Sequence, residues 1–133
     1  MGSGLRASRS ALAALLAEAA KAHPLECCGL LLAGEVDGEA CDIARIVPCA
    51  NVSPTPTDSF EIDPVALIAA HKAERKGKGR LAGYYHSHPN GRAGPSDRDR
   101  ARASGDGRVW AIIARGEVTW WRDGAGGLTE LAD

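Results

Sequence analysis

Two of the four histidines in this 133-residue sequence, His86 and His88, lie two positions apart at the end of a strand-like segment. Residues i and i+2 of a β-strand point to the same face with Cα atoms roughly 6.5 Å apart, which lets both imidazoles bind one metal ion at ~2.0–2.1 Å. Asp99 lies in the first turn of a predicted short helix capped by Ser96, and the preceding loop can bring its carboxylate to the same ion. Two histidines, one carboxylate and one water would form a catalytic zinc site.

Each of these motifs also has a purely structural interpretation. A His-x-His pair next to a proline is most often a pair of surface loop residues, and Ser96-x-x-Asp99 is most often an ordinary helix start. The two motifs occur together here, with seven residues between His88 and Ser96. That combination favours the metal site over either structural interpretation.

The elements that must position these residues are predicted from hydrophobic periodicity and from capping and turn residues. The first helix begins after serine caps and ends before His23, and the second begins at an Asp63 cap. The apolar face of the second helix is predicted to contain Val65, Ile68 and Ala69. The predicted elements are helices over 11–22, 64–76 and 97–103, strands over 27–33, 41–47, 59–62, 81–86, 109–114, 118–122 and 128–131, and a hairpin turn over 34–40.

Strands and helices are interspersed around what we expect to be one mixed sheet, so the sequence predicts an α/β or α+β fold. A chain of 133 residues has the length of one domain, which we place at 1–133 with a flexible N-terminus over 1–7. The composition, 44% hydrophobic and 25% charged, is typical of a packed globular protein. The exposed edges of such a small sheet also make a homodimer a reasonable expectation.

The charge balance argues against a general attraction to polyanions. The sequence has 16 basic and 17 acidic residues and a net charge of -1, so we expect neither nucleic acid nor an anionic membrane as a partner. No apolar run approaches the ~20 residues of a membrane span, and the N-terminus lacks a hydrophobic signal core, so we expect a cytoplasmic protein. The cysteines fit no paired C-x-x-C zinc pattern and are expected to be reduced packing residues: Cys27, Cys28, Cys41 and Cys49.

Five arginines surround the candidate site in the sequence: Arg92, Arg98, Arg100, Arg102 and Arg108. Aspartates are interleaved with them, so a solvated helix face is the simpler interpretation. The alternative is that one or two of these arginines steer an acidic protein or a carboxylate toward the metal.

The metal-ligand spacing resembles the signature of a known family, the JAMM or MPN-plus (Mov34/MPN/PAD-1) zinc metalloproteases. That signature is a distant glutamate, then His-Ser/Thr-His-Pro, seven residues, and Ser-x-x-Asp. It is matched at every position by His86-Ser87-His88-Pro89 and Ser96-x-x-Asp99, and segment 23–30 resembles the part that carries the glutamate, here Glu26. Weaker family features also occur in the expected order, so the resemblance covers about residues 12–121: Asn51, Pro54, Phe60, Asp63-Pro64 and Gly83-Tyr84-Tyr85.

The resemblance implies a cytidine-deaminase-like MPN fold, a single mixed and mostly antiparallel sheet that curves around and is flanked by helices. It also implies that one Zn²⁺ is bound by His86, His88 and Asp99. Glu26 would hold the zinc-bound water and move its proton to the leaving amine, and Ser96 would stabilise the oxyanion of the amide being hydrolysed. Without the resemblance, a glutamate at the start of a buried strand would be interpreted as a solvated charge.

The resemblance is to the minimal prokaryotic branch of the family. Eukaryotic members that cut ubiquitin chains carry insertions after the second helix and after the zinc-binding helix, whereas only residues 76–80 and 105–108 occupy those places here. Prokaryotic members are associated with ubiquitin-like sulfur-carrier proteins. The implied partner is therefore such a protein with a C-terminal Gly-Gly tail, joined by an amide bond to a lysine side chain or to a cysteine.

Three alternatives stay open: a peptidase of broader specificity, a non-catalytic MPN-type interaction scaffold, and a zinc deaminase. The presence together of Glu26, His86, His88, Ser96 and Asp99 argues against the scaffold. The absence of the H-x-E and P-C-x-x-C elements argues against the deaminase.

Overall fold

The computed structural model describes residues 5–34 and 41–132 of the chain. Three helices and seven strands lie within these ranges. Each helix begins at a side-chain cap, with Ser8, Asp63 or Ser96 accepting a backbone N–H of the first turn. The elements are β1 Leu5–Ala7, α1 Arg9–Ala22, β2 Cys28–Ala33, β3 Cys41–Cys49, α2 Pro64–Arg75, β4 Arg80–Ser87, α3 Asp97–Arg102, β5 Val109–Ala114, β6 Glu117–Gly124 and β7 Gly127–Leu131.

The strands of the described ranges form one sheet in the order β1-β3-β2-β4-β5-β6-β7. The β1–β3 and β4–β5 pairs are parallel, and the other pairs are antiparallel. The prediction of a mixed, mostly antiparallel sheet is therefore confirmed. β4 lies in the middle of the sheet between β2 and β5, so the end of β4 that carries the histidines has hydrogen-bonded backbone on both sides.

Two hydrophobic clusters cover the two faces of the sheet. The cluster under α1 includes Leu15 and Tyr85, and the cluster under α2 includes Leu30 and Leu81 with Tyr84 packed against it. Side chains of a strand alternate between the two faces, so His86 lies on the same face as Tyr84. The candidate site therefore belongs to the α2 side of the sheet.

α2 has the predicted position but packs through a different face. Val65 and Ile68 are 73% and 56% exposed, whereas Leu67 and Ala70 pack against the α2-side cluster. Residues 65–70 are all apolar, so apolar side chains surround the first turns of this helix. Periodicity alone could not identify the buried face.

Two further predictions are wrong in part. Residues 5–7 are not flexible: they form β1, which pairs with the start of β3, and Leu5 is buried. Residues 1–4, and residues 35–40 of the turn predicted over 34–40, lie outside the described residues. The predicted strand over 59–62 is reduced to one isolated bridge between Asn51 and Ile62. None of the helices in the described ranges, of which α1 with 14 residues is the longest, is long and apolar enough to span a membrane.

Gly83 allows β4 to lie unusually close to β5. A Cβ atom built at this position would overlap the carbonyl oxygen of Val109. Any side chain at residue 83 would therefore push the two strands apart, and the histidine segment follows directly along the chain.

Candidate metal centre

The candidate metal ligands lie where β4 leaves the sheet. His86 pairs with Cys28 of β2 and with Ile112 of β5. His88 follows the last residue of β4, and its backbone N–H donates to the carbonyl of Ile113 at 2.8 Å. The backbone that carries both imidazoles is thus held by the sheet rather than by a loop.

The structure brings the three predicted ligands together. The Nε2 atoms of His86 and His88 are 3.1 Å apart, and they lie 3.1 and 3.0 Å from Oδ2 of Asp99. All three side chains are buried. Four ligands at ~2.0–2.1 Å around a tetrahedral ion lie about 3.3 Å from one another, so this triangle has the size and the chemistry that zinc requires.

The orientation of His88 is fixed by the turn that follows it. Its Nδ1 lies 2.9 Å from the carbonyl oxygen of Arg92, and because a carbonyl can only accept, Nδ1 carries the proton. This leaves the lone pair of Nε2 for a metal. The turn is closed by Gly91, whose N–H donates to the carbonyl of His88 at 2.9 Å.

Aromatic rings pack against the imidazole of His86. The ring of Phe60 stacks on His86 with 4.2 Å between the ring centroids and 19° between the planes. Trp110 contacts the same imidazole edge-on, with 6.0 Å between centroids. Phe60 comes from the irregular segment before α2, so this segment packs directly against the candidate metal site.

Asp99 is held by the capping box of α3. Ser96 Oγ accepts the Asp99 N–H, and Asp99 Oδ2 accepts the Ser96 N–H, each at 3.0 Å. The carboxylate oxygen that faces the histidines is therefore also part of the capping box of α3. Since the Ser96 hydroxyl serves as an acceptor here, its own proton can be donated to a substrate oxygen.

Glu26 lies near His88 and Asp99, although it is distant from them in sequence. The β2–β4 register continues past Cys28 and His86 through a backbone hydrogen bond from Ser87 to Cys27, and this places Glu26 next to His88. Glu26 is 5% exposed, and its Oε1 has no hydrogen-bond partner among the described residues. Burial raises the pKa of Glu26 to about 7, with His88 opposing and Asp99 adding to the increase. A carboxylate with this pKa can both accept and return a proton at neutral pH.

Burial and mutual contact also set the protonation of the ligands. Burial lowers the pKa of His86. For His88 burial acts in the same direction, but the contacts of its ring with Asp99 and Arg92 outweigh it and raise the pKa. Burial alone would raise the pKa of Asp99, yet its hydrogen bonds with the two histidines hold that pKa well below the ordinary value. An ionised Asp99 is the form that a metal ion requires.

The pKa of Glu26 predicts how stability depends on pH. The folded protein keeps a proton on Glu26 up to about pH 7, whereas the unfolded chain releases it near 4.5, so the stability that Glu26 contributes falls as pH rises between these values. The complete shift corresponds to about 3 kcal/mol. Metal-free Glu26→Gln should therefore match wild type at pH 4 and exceed its free energy of unfolding by about 1–3 kcal/mol at pH 8, as measured by urea denaturation in EDTA.

Glu74 supplies a control, because its pKa is shifted in the opposite direction from that of Glu26. Burial raises the pKa of Glu74, but its hydrogen bonds with Arg108 and Leu81 outweigh burial and lower it. Glu74→Gln should therefore be less stable than wild type at pH 8 and nearly equal to it at low pH. The same difference at both pH values for Glu26→Gln would mean that Glu26 is not held protonated by its burial.

The arginines are dispersed more widely than the sequence suggests. Arg98 and Arg102, on α3, contact the segment before α2, at Asp58 and at the carbonyl of Phe60 respectively. Arg108 instead pairs with Glu74 at 3.1 Å, where α2 meets the sheet. Arg108 is therefore a structural residue, and the prediction that it surrounds the site is wrong.

Two residues near Glu26 have contacts that the sequence did not reveal. The hydroxyl of Ser87 accepts the Cys27 N–H at 2.8 Å, and the side chain of Asn51 donates to the carbonyl of Glu26 at 3.0 Å. The only sequence signal for either was its place among the family features. Both contacts join segments that are more than 20 residues apart in the chain.

The fold and its sequence match known proteins. A relative named desampylase, from Haloferax volcanii, is 36% identical over 91 residues, which are 68% of this chain and 63% of the relative. A relative named probable TtuB-protein conjugate cleaving protease, from Thermus thermophilus, is 49% identical over 59 residues, which are 44% of this chain and 39% of the relative. In both cases the match spans less than two thirds of the relative's own length.

A solved structure and a family match agree with these relatives. The crystal structure of a JAB1/MPN domain protein from Archaeoglobus fulgidus has a TM-score of 0.60 at 22% identity and covers 95% of each chain, which confirms the MPN fold. The family described as prokaryotic homologs of the JAB domain matches residues 8–123, a range that contains all five predicted site residues. The chain therefore belongs to the prokaryotic JAB-domain family.

Proposed function

We propose that this protein is a zinc-dependent metallopeptidase that hydrolyses an amide bond at the C-terminal tail of a ubiquitin-like or sulfur-carrier protein. The observation that carries the proposal is the buried triangle of His86, His88 and Asp99. Beside it lies a carboxylate oxygen of Glu26 that has no hydrogen-bond partner within residues 5–34 and 41–132. The names of the two relatives, desampylase and probable TtuB-protein conjugate cleaving protease, support removal of a protein conjugate as the reaction.

The proposed mechanism divides the work among the residues of this chain. His86, His88 and Asp99 would hold Zn²⁺, which lowers the pKa of a water to about 7 and so supplies a nucleophile at neutral pH. Glu26 accepts the proton of that water on its buried carboxylate and returns it to the leaving amine. The hydroxyl of Ser96 donates to the amide oxygen as negative charge develops there.

Two connections between helices and the sheet are short, which suits a narrow, extended substrate. Only residues 76–79 join α2 to β4, and only residues 103–108 join α3 to β5. A Gly-Gly tail has no side chains beyond hydrogen, so its amide can approach buried ligands as an extended strand. We therefore infer a partner with a C-terminal Gly-Gly tail, attached either to a lysine side chain or to a cysteine.

The proposal places the reaction in the cytoplasm. Cys27 and Cys28 are buried free thiols, and Cys49 is a half-buried one. Burial raises the pKa of Cys28 to about 12, so this thiol stays protonated and unreactive at neutral pH. Free thiols of this kind are typical of proteins in reducing compartments.

Zinc analysis combined with a cleavage assay tests this function. The substrates would be a ubiquitin-like protein with a C-terminal cysteine and the same protein joined to a lysine side chain. We expect one zinc per chain and cleavage that EDTA stops and added zinc restores. A purified protein that binds no divalent metal and cleaves neither substrate would contradict the proposal and favour the interaction scaffold.

A further inference from the structure

The backbone around Glu26, just before β2, is held by three hydrogen bonds with distant parts of the chain. The Glu26 N–H donates to the carbonyl of Pro56 at 2.7 Å, and the Glu26 carbonyl accepts from Asn51 Nδ2 at 3.0 Å. The next N–H, that of Cys27, donates to Ser87 Oγ at 2.8 Å. Both peptide groups that flank the Glu26 Cα are therefore fixed.

The carboxylate end of Glu26 is held differently. Oε1 is buried and has no hydrogen-bond partner among the described residues. The position of the carboxylate is therefore determined mainly by where the backbone places the Cα atom and by packing around the side chain. Each contact that fixes the Glu26 backbone consequently acts on the location of the proton acceptor.

Asn51 is the contact residue whose side chain has the strictest chemical requirement, because both its nitrogen and its oxygen form hydrogen bonds. Its Nδ2 donates to the carbonyls of Glu26 and Ser59, at 3.0 and 3.1 Å, and its Oδ1 accepts the N–H groups of Ser53 and Glu61, both at 3.0 Å. Only a carboxamide offers two donors on one atom and an acceptor on the other in this geometry. Asn51 thus joins the start of β2 to both ends of the segment that contains Pro56.

We propose that Asn51 is a positioning residue that sets the place of the Glu26 carboxylate for proton transfer. This inference rests on the proposed function, in which Glu26 moves the proton of a metal-held water. A displacement of about 1 Å in a catalytic group can cost about 100-fold in rate, so loss of the two donated hydrogen bonds should be visible in kcat. Substrate binding should be unaffected, because Asn51 acts on the proton acceptor.

Asn51→Asp tests the proposal with little change in shape. The variant keeps the acceptor oxygen for Ser53 and Glu61 but replaces both donated hydrogen bonds with a carboxylate oxygen facing two carbonyls. Ser53→Ala is the matched control: it removes contacts of Ser53 Oγ with Thr55 N–H and with Ser59 Oγ and touches nothing on Glu26. We expect Asn51→Asp to lower kcat about 10–100-fold, with KM within about 2-fold and one zinc retained, and Ser53→Ala to stay within about 3-fold in kcat.

Amide hydrogen exchange gives a measure that does not depend on activity. Asn51→Asp should accelerate exchange at the Glu26 and Cys27 amides at least about 10-fold, and Ser53→Ala should not. Asn51→Ala, which introduces no charge, serves if Asn51→Asp fails to fold. Equal losses of kcat and Tm in the Asn51 and Ser53 variants, or unchanged exchange at Glu26 and Cys27, would overturn the proposal.

The two proposals can fail separately. A wild-type protein that binds zinc but cleaves neither substrate would remove the proposed function, and the exchange experiment alone would then decide whether Asn51 fixes Glu26. A wild-type protein that cleaves normally, together with an Asn51→Asp variant of unchanged kcat, would remove only the role of Asn51.

Discussion

Glu26→Gln is expected to lower kcat for cleavage of the tail amide by about 10²–10⁴-fold while leaving one zinc bound per chain. Glutamine keeps the length and shape of the side chain but cannot accept a proton from water or return one to the leaving amine. The three proposed metal ligands are other residues, so metal content should not change. Steady-state kinetics and zinc analysis of the same preparation measure both quantities.

The pH profile and a matched variant complete this experiment. Burial raises the pKa of Glu26 to about 7 in the metal-free protein, and a bound cation would lower this pKa. Wild-type kcat/KM should therefore rise with pH and level off at a pH below 7, once Glu26 is ionised. Glu61→Gln changes an exposed carboxylate in a neighbouring segment and should leave kcat unaltered. Full activity in Glu26→Gln with zinc present would rule out Glu26 as the proton acceptor.

Substitutions of Asp99 are expected to abolish zinc-dependent cleavage, and two variants can separate the two roles of this residue. Asp99→Ala removes both the proposed metal ligand and the capping-box hydrogen bond from the Ser96 N–H, so it should also destabilise the protein by about 1 kcal/mol. Asp99→Asn loses the negative charge but keeps an oxygen that can accept the Ser96 N–H. Substituting a residue that only contacts a metal ligand typically lowers metal affinity roughly 10–100-fold. Both Asp99 variants should lower zinc affinity by more than this.

Zinc titration and thermal unfolding of the metal-free variants distinguish these effects. The metal-free Asp99→Asn variant should melt at a higher temperature than metal-free Asp99→Ala. His71→Ala, on α2, serves as the control because His71 lies outside the group of His86, His88 and Asp99, so zinc binding should be unchanged. Undiminished zinc affinity in Asp99→Asn would identify Asp99 as a capping-box residue only.

The sequence was most informative where the geometry is local. His86 and His88 share one strand end, and Ser96 and Asp99 share one helix turn, so the spacing within each pair determines their geometry. The placement of Glu26 depends on the register between β2 and β4, which are about 50 residues apart in the chain. No local pattern encodes that register, and only the family resemblance identified Glu26.

The errors have the same physical origin. β1 contains three residues, too few for an alternating pattern. It is held in place by pairing with β3, which lies more than 30 residues later in the chain. The buried face of α2 could not be chosen because apolar residues surround its first turns. Arg108 is close to the site in sequence, but its partner Glu74 lies on α2. In each case a contact between distant segments decided the outcome.

The central position of β4 has a consequence for how such proteins can diverge. His86 and His88 lie on backbone paired with β2 and β5, whereas Glu26 precedes β2 and Asp99 lies on a six-residue helix outside the sheet. Neither carboxylate belongs to the two hydrophobic clusters that hold the sheet together. A descendant could therefore lose either carboxylate through a single codon change and still keep the seven-stranded sheet and both hydrophobic clusters.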